Sequence, residues 1–303
     1  MQKIIAGNYK GKAKPKSQIG IMLLMLAAVG SGILIGMLYV SLFLKGLDYS
    51  NFTEEGLRDK ESEIFSKYGS ADIASLSGVN AFIVAEQKVA AKNIVSMDAS
   101  GNINAMGVKQ NIYTKKYRNG NSYFVENISK GQVILGVDTN IAERNYYDLS
   151  SDLLKIYKGS NIQQTSATFN DLKEQMSLSQ WKDKNGTTPL NFQPYIVSSK
   201  TIESATNPTA CTLDGGKRGY YIKMSLNASS AFLYVKQIKN LSGLGDYPNF
   251  NYINIEVYLN SDGTFNKIVC SEKYTVKKMG MNVGTTSVMT YTFNYEAKEI
   301  PTI

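Results

Sequence analysis

The sequence predicts an α+β protein in which a large, curved antiparallel sheet wraps around two or three helices and is preceded by one transmembrane helix. Three observations support this prediction. One long apolar run lies near the N-terminus, long segments of the C-terminal third alternate between apolar and polar residues, and a few other segments place apolar residues at helical spacing. The 20 tyrosines against one tryptophan also suit strands with one half-buried face.

The apolar run at 19–44 contains no charged residue. A helix of that length covers about 39 Å, which is enough to cross a hydrocarbon core of roughly 30 Å with some tilt. The positive-inside rule predicts a cytoplasmic N-terminus and an extracellular C-terminal domain, because mixed charges follow the run while only basic ones precede it. These are Lys3, Lys10, Lys12, Lys14 and Lys16.

Two other interpretations of this run are a cleaved signal peptide and the leader of a lipoprotein. A cleaved signal peptide has an apolar region of about 7–15 residues, so an uncleaved anchor is favoured, although cleavage within 27–32 is the alternative. A lipoprotein needs a cysteine directly after the run, and none precedes Cys211. Within the run, Ala28, Gly32 and Gly36 place small residues on one helix face, which indicates either self-association of the helix or ordinary membrane-helix composition.

The segment 45–70 is polar and dense in charge, and it is predicted to be a stalk or a short surface helix. The predicted organisation is therefore a basic cytoplasmic tail at 1–18, a transmembrane helix at 19–44, a stalk at 45–70 and an external α+β domain at 71–303. The membrane, which the chain is predicted to cross once, is the first expected partner.

The external domain begins with a predicted helix at 77–92, where Val79, Phe82, Ile83, Glu86 and Val89 share one face.

Several turn signals follow this helix. Asn119 and Gly120, the pair favoured in type I′ turns, predict a hairpin. Four strands are predicted between about 93 and 137, and another near 145–157. Thr168 and Asp171 form a predicted capping box for a helix over 169–182, and a strand is expected across 192–204.

The C-terminal third shows the clearest pattern. A strand is predicted around 220–226, a helix capped by Asn227 follows it, and three consecutive strands of about 10–15 residues form an antiparallel meander with a turn at 261–263. Two of these strands contribute a predicted apolar sheet face made of Tyr220, Ile222, Met224, Leu226, Ile253, Ile255, Val257 and Leu259.

The succession of NAFIVAEQKVAAKN, YRNGNSYFVENISKG, PYIVSSKTI, YYIKMSL and VYLNSDGTFNKIVCSEKYTV resembles external domains of uncharacterised single-pass membrane proteins of Gram-positive bacteria. More loosely, it is similar to the half-barrel of lipoprotein-carrier and LppX-like periplasmic proteins. This resemblance covers most of 75–298 in element order. It implies that an acyl chain or another apolar ligand lies between the sheet and the helices.

Composition excludes several kinds of site. With no histidine and two cysteines, the chain cannot build a Ser-His-Asp or Cys-His catalytic centre, a histidine-ligated zinc site or an iron–sulfur cluster. We expect no cofactor and no bound metal. Five of the eight net positive charges belong to the tail at 1–18, so no nucleic-acid partner is expected. Cys211 and Cys270 either form a disulfide or both remain reduced.

These features lead to two functional hypotheses for a chain that is not expected to be an enzyme. The first is a membrane-anchored extracytoplasmic binding protein that holds an apolar or lipid ligand in a half-barrel. The second is a structural or assembly subunit of a cell-envelope machine, such as a secretion or conjugation scaffold. A third class, an enzyme that uses only carboxylates, has no feature in its favour.

Overall fold

The computed structural model describes residues 47–105, 108–131, 140–242, 246–278 and 281–298. The predicted tail at 1–18 and the predicted span at 19–44, with Ala28, Gly32 and Gly36, lie outside these ranges. Within the described ranges no helix combines the length and the apolar character that crossing a membrane requires.

Five α-helices are described in the structure. They are α1 (Glu54–Leu57), α2 (Glu61–Tyr68), α3 (Gly78–Ala90), α4 (Leu178–Asn185) and α5 (Phe232–Ser242). The helix predicted at 77–92 is confirmed as α3, and the side chain of Ser77 caps its first turn by accepting a hydrogen bond from Asn80 N. The helix predicted after Asn227 is confirmed as a 3-10 turn followed by α5.

Twelve strands are described in the structure. They are β1 (Ile94–Ala105), β2 (Val108–Asn119), β3 (Ser122–Gly131), β4 (Ile141–Asp148), β5 (Leu153–Ser160), β6 (Thr168–Met176), β7 (Ile202–Ala205), β8 (Thr209–Thr212), β9 (Arg218–Leu226), β10 (Asn249–Asn260), β11 (Phe265–Lys278) and β12 (Met281–Asn294).

All twelve strands belong to one antiparallel sheet, in the order β6-β5-β4-β3-β2-β1-β12-β11-β10-β9-β7, with β8 also paired to β9. The sheet is unclosed, since β6 and β7 are its two ends. Long twisted strands curve such a sheet. The predicted α+β class with a large curved antiparallel sheet is confirmed, and so is the C-terminal meander of β10, β11 and β12.

One face of the sheet carries the main core. Phe82 of α3 contacts Phe265 of β11 with ring centroids 5.0 Å apart, and Phe265 contacts Phe293 of β12 at 5.3 Å. Val235 of α5 is fully buried in the same cluster. The helices therefore cover the sheet on the side that the alternation of apolar residues predicts.

A second, smaller core lies on the opposite face of β3 to β6. It consists of Ile128, Ala142, Tyr157 and Phe169. Side chains of a strand alternate between its two faces. Tyr123 and Val125 lie an odd number of positions before Ile128 on β3, so they occupy the opposite face, and Tyr123 belongs to the main core. Strands β3 to β5 are consequently buried on both faces.

Residues 47–68 lie against the body. Tyr49 and Leu57 are buried in the main core, and the Tyr49 hydroxyl donates to the carbonyl oxygen of Ala228. The Ser198 hydroxyl donates to the Leu57 carbonyl oxygen at 2.6 Å. The described part of the segment predicted as a stalk at 45–70 therefore packs as part of the same unit as the sheet, which spans Gly46–Ile303.

Four predictions in the middle of the chain are wrong in detail. The strand near 145–157 is a hairpin of β4 and β5, and three strands rather than four are described between about 93 and 137. The helix over 169–182 is the strand β6 followed by the shorter helix α4, because pairing with β5 extends the chain through Met176. The strand across 192–204 begins only at Ile202, after an irregular buried segment.

The hairpin of β2 and β3 is confirmed, but its turn is centred one residue later than predicted. Asn119 pairs with Ser122, so Gly120 and Asn121 are the central turn residues. Of these two turn residues, only Gly120 has a positive φ, of 57°. Glycine with positive φ at the first central position is the pattern of a type II′ turn, whereas type I′ needs positive φ at both positions.

Candidate functional site

The predicted apolar sheet face exists and is fully covered. Its eight residues alternate along β9 and β10, and the register pairs Ile222 with Val257 and Met224 with Ile255. Tyr220 keeps 9% of its surface exposed, and the other seven keep 1% or less. These side chains are packed under the helices and are not open to a ligand.

Two surface depressions are open to solvent and have charged residues in their linings. One, of about 370 Å³, is lined by Phe65, Lys88 and Asp262 among others. The other, of about 590 Å³, is lined mainly by charged residues between Glu55 and Glu63 together with Gln87. Neither is an apolar cavity between the sheet and the helices.

The second depression borders a buried cluster of charges that we call the Arg58 clasp, formed by Arg58, Glu54, Glu61 and Glu86. The Arg58 guanidinium donates from Nη1 to Glu61 Oε1 at 2.6 Å and to Glu86 Oε1 at 2.7 Å. Its Nη2 donates to Glu54 Oε1 at 3.0 Å. Each of the four side chains is at most 16% exposed. One cation thus faces three carboxyl groups in a nearly dry environment.

Neutral side chains complete the clasp. Thr187 Oγ1 donates to Glu54 Oε2 at 3.0 Å, and Asn191 Nδ2 donates to Glu54 Oε1 at 3.2 Å. Gln87 Nε2 donates to Glu61 Oε2 at 2.7 Å. The clasp therefore joins α1 and α2 to α3 and to the irregular segment after α4.

Glu86 is the least solvated member of the clasp. Its Oε1 accepts hydrogen bonds from Arg58 and from Gln193 Nε2, whereas its Oε2 is buried with no hydrogen-bond partner in the structure. Burial raises the pKa of Glu86 to about 7, against the opposing effect of the Arg58 charge. Glu86 is therefore the carboxyl group of the clasp that titrates near neutral pH.

A half-buried lysine approaches the clasp from the sheet. Lys116 of β2 donates from Nζ to the carbonyl oxygen of Asn191 at 2.7 Å. Burial lowers the pKa of Lys116 to about 8, because the charged ammonium is poorly solvated there.

Glu272 of β11 forms a second buried polar cluster on the helix-facing side of the sheet. Tyr195 Oη donates to Glu272 Oε1 at 2.5 Å, and the Tyr234 hydroxyl donates to the same oxygen. Burial raises the pKa of Glu272, while hydrogen bonds from Tyr195, Tyr234 and Ser287 act in the opposite direction. The tyrosines satisfy the carboxyl group, so this cluster is part of the core.

The outer face of the sheet carries a row of charges of alternating sign. The registers place Asp98, Lys115, Glu126 and Arg144 directly opposite one another on β1 to β4. Arg144 forms an ion pair with the nearly buried Glu126, and its guanidinium lies 4.1 Å from the ring centroid of Phe169. Opposite charges in directly paired positions stabilise the sheet.

Cys211 and Cys270 are free thiols in the structure, so the second of the two alternatives describes them. Cys211 pairs with Gly219, whose partner on β10 is Asn260, whereas the partner of Cys270 on β10 is Ile255. The two cysteines are therefore level with positions of β10 that lie five residues apart, which corresponds to roughly 16 Å along the strand. A disulfide needs Cα atoms within about 7 Å of each other.

Sequence reasoning did not single out the clasp, although one signal for it was present. Glu86 stands on the apolar face of the helix, four positions after Phe82 and three before Val89, and a carboxyl at such a position needs a buried partner. Arg58 had no comparable signal, because its charge looked ordinary in a polar segment. Among the described residues, no cluster of histidine, cysteine, aspartate or glutamate could hold a metal ion.

Comparison with known proteins adds little to this geometry. No protein-family model and no curated protein matches the chain. A DUF1329 family protein from Desulfovibrio piger is similar to 74% of this chain and 93% of its own, with 10% identity and a TM-score of 0.23. An N-terminal dehydratase from the difficidin assembly line is similar to 72% of this chain and 84% of its own, with 10% identity and a TM-score of 0.12. TM-scores this low establish neither a common fold nor a common activity.

Proposed function

We propose that this chain is a membrane-anchored, extracytoplasmic and non-catalytic protein that binds another component of the cell envelope through the surface of its sheet. It would act as a structural or assembly subunit, the second of the two hypotheses drawn from the sequence. The observation that carries the proposal is that all eight residues of the predicted apolar face are buried, so this face is not open to a ligand.

The outer face of β10 to β12 is the surface that suits such a role. Tyr252 of β10 and Val288 of β12 are 40% and 46% exposed, and both alternate with buried residues that face the helices. On β11, Ser271 pairs with Val288 of β12, and Lys273, two residues further, pairs with Tyr252 of β10. Val288 and Tyr252 therefore lie on the same face of the sheet, with β11 between them. These two exposed apolar side chains are the ones that we expect a partner on this face to cover.

The anchor itself rests on the sequence. The uncharged run at 19–44 and the lysines before it support a single span with the body outside the cell. Tyr49 is already buried in the body, so only residues 45–48 separate the run from the core.

Site-specific photo-crosslinking in cells that produce the full chain tests this proposal. A photoreactive residue at Tyr252 is expected to give a discrete adduct with an envelope protein or a second copy of the chain, and Val288→Asp is expected to weaken that adduct. The same photoreactive residue at Lys60, an exposed position away from the outer face, is the control and is expected to give no adduct.

The opposite result would favour the apolar-ligand hypothesis. If Tyr252 gives no more adduct than Lys60, and the chain purified from the same cells carries about one lipid per molecule by mass spectrometry, the assembly role is wrong. In that case the helices must open to admit the ligand to the predicted apolar face, because its eight residues are buried in the closed structure.

A further inference from the structure

The Arg58 clasp is one of several contacts that attach the first part of the body to the rest. Arg58 lies between α1 and α2, while Glu86 belongs to α3 and Gln193 follows α4. The clasp side chains therefore connect residues 54–61 to two segments that lie 28 or more positions further along the chain. Any change in the clasp alters how firmly α1 and α2 are held.

Glu86 lacks the hydrogen-bond donors that a buried carboxylate needs at both of its oxygens. Both donors, Arg58 and Gln193, use Oε1, which serves as the acceptor in either form. Oε2 is buried and no protein group donates to it, so ionisation would place a charge on a buried oxygen without a protein donor. Such a group costs far less free energy when it carries a proton.

We propose that Glu86 is a proton sensor that controls the attachment of α1 and α2 to the body. With Glu86 neutral, Arg58 is shared with the remaining carboxylates Glu54 and Glu61, and the clasp holds the two helices firmly. When Glu86 loses its proton, three carboxylates compete for one guanidinium, and α1 and α2 open more readily. This regulatory role is independent of the binding function proposed above.

The charged groups around Glu86 agree on the direction of the effect. Glu54 and Glu61 face it from α1 and α2 and disfavour its ionisation, whereas Arg58 favours it. Burial outweighs Arg58, so the pKa of Glu86 in the closed state stays well above the ordinary value of a glutamate. The free energy that this shift contributes to closure is present at acid pH and is lost as the pH rises to about 7.

Two cations on β2 complete the surroundings. Arg118 donates to the carbonyl oxygen of Val89 on α3, and Lys116 contacts the backbone of Asn191. The lowered pKa of Lys116 acts in the opposite sense and at higher pH, since the cost of burying its charge begins to fall only at about pH 8 and decreases further towards the ordinary lysine pKa of 10.5. The response between pH 5.5 and 7.5 therefore belongs to Glu86.

Hydrogen exchange of the full chain in detergent, analysed by mass spectrometry and corrected for intrinsic exchange rates, measures this opening. In the wild type, peptides within 54–68 are expected to be on the order of tenfold more protected at pH 5.5 than at pH 7.5. In Glu86→Gln, which keeps an acceptor oxygen and cannot ionise, the protection is expected to be equal at both pH values. The control Glu63→Gln removes an exposed carboxylate of α2 that pairs only with Lys60, and it should keep the wild-type response.

Glu61→Gln gives a test that does not depend on substituting the sensor. Glu61 disfavours ionisation of Glu86 and competes with it for Arg58, so its loss should move the midpoint of the wild-type response to lower pH. A wild-type protection that does not change with pH would overturn the proposal. A pH response that survives unchanged in Glu86→Gln, or a midpoint that Glu61→Gln leaves in place, would do so as well.

Discussion

At the scale of single residues, Glu272 shows how this core tolerates a buried acid. The hydroxyl groups of Tyr195 and Tyr234 both donate to its Oε1, and Ile253 of β10 lies opposite it in the register. The same hydrogen bonds satisfy the two phenols, of which Tyr195 is buried and Tyr234 is half-buried. Glu272 thus contributes to stability as the shared acceptor of a tyrosine pair.

Replacing this acceptor is expected to be costly. Glu272→Ala leaves two buried hydroxyl groups without a partner, and we expect a loss of about 3 kcal/mol in the free energy of unfolding. Glu203→Ala is the control, because Glu203 is exposed and accepts only from Ser225 Oγ at 3.1 Å, and its cost should stay below about 0.5 kcal/mol. Urea unfolding followed by tryptophan fluorescence compares them, and equal costs would contradict the role given to Glu272.

At the scale of secondary structure elements, the boundary between β6 and α4 shows how a local signal can mislead. Thr168 and Asp171 resemble a capping box, yet both belong to β6. The capping box that forms is Ser177 with Gln180, where Gln180 N donates to Ser177 Oγ at 3.2 Å and Ser177 N donates to Gln180 Oε1 at 2.8 Å. Both pairs have the spacing that the motif requires.

Two substitutions separate these caps. Ser177→Ala is expected to lower the free energy of unfolding by about 1 kcal/mol, because α4 loses its side-chain cap. Thr168→Ala is expected to change it by less than about 0.5 kcal/mol, since Thr168 is exposed on an edge strand. If Thr168→Ala proves the more damaging of the two in chemical denaturation, the helix begins where the sequence first indicated.

The close packing of α3 against the sheet depends on its first residue, Gly78. A Cβ atom added to Gly78 would lie 2.2 Å from the carbonyl oxygen of Thr206 and 3.0 Å from Ile222 Cγ2. We expect Gly78→Ala to cost about 1–3 kcal/mol, because the backbone of Thr206 or the helix must move. Gly284→Ala on β12 is the control, since no atom lies within 4 Å of its added Cβ, and thermal unfolding should show no loss of stability for it.

At the scale of the whole molecule, the body is one sheet with a large core on one face and a small core on the other. The main core joins residues from Tyr49 to Phe293, so nearly the whole described chain contributes to it. Edge strand β6 presents Asp171, Lys173 and Glu174, charges that discourage pairing with the edge of another sheet. The proposed partner contact therefore belongs to the outer face and not to this edge.

The proposed topology predicts the outcome of protease treatment. Moving the five lysines of the tail outward would oppose the membrane potential by about 2.3 kcal/mol per charge for each 100 mV. Protease added to intact, wall-stripped cells is therefore expected to digest the body and leave a small protected fragment that contains the tail. A chain that stays full-length in intact cells but is cleaved after lysis would contradict this orientation.

Much of the sheet could be predicted because alternation is a local property. The meander of β10 to β12, the helix α3 and the eight residues of the covered face all follow from period-two or helical spacing. The segment from about 145 to 205 could not be predicted in the same way. There β4 and β5 are short, β6 lies at an edge with mostly exposed side chains, and the buried residues 195–197 lie in no regular element.

The sequence by itself determined the fold class and which side chains of β9 and β10 face the core, since neighbouring residues of a strand must point to opposite sides. The tertiary structure alone decided that this face is filled, that the two thiols lie far apart, and that Arg58 contacts Glu86 and the segment after α4. Such contacts join segments that are distant in the chain. The register of the strands and the packing of the helices bring these segments together, and no periodic pattern in the sequence indicates which distant segments will meet.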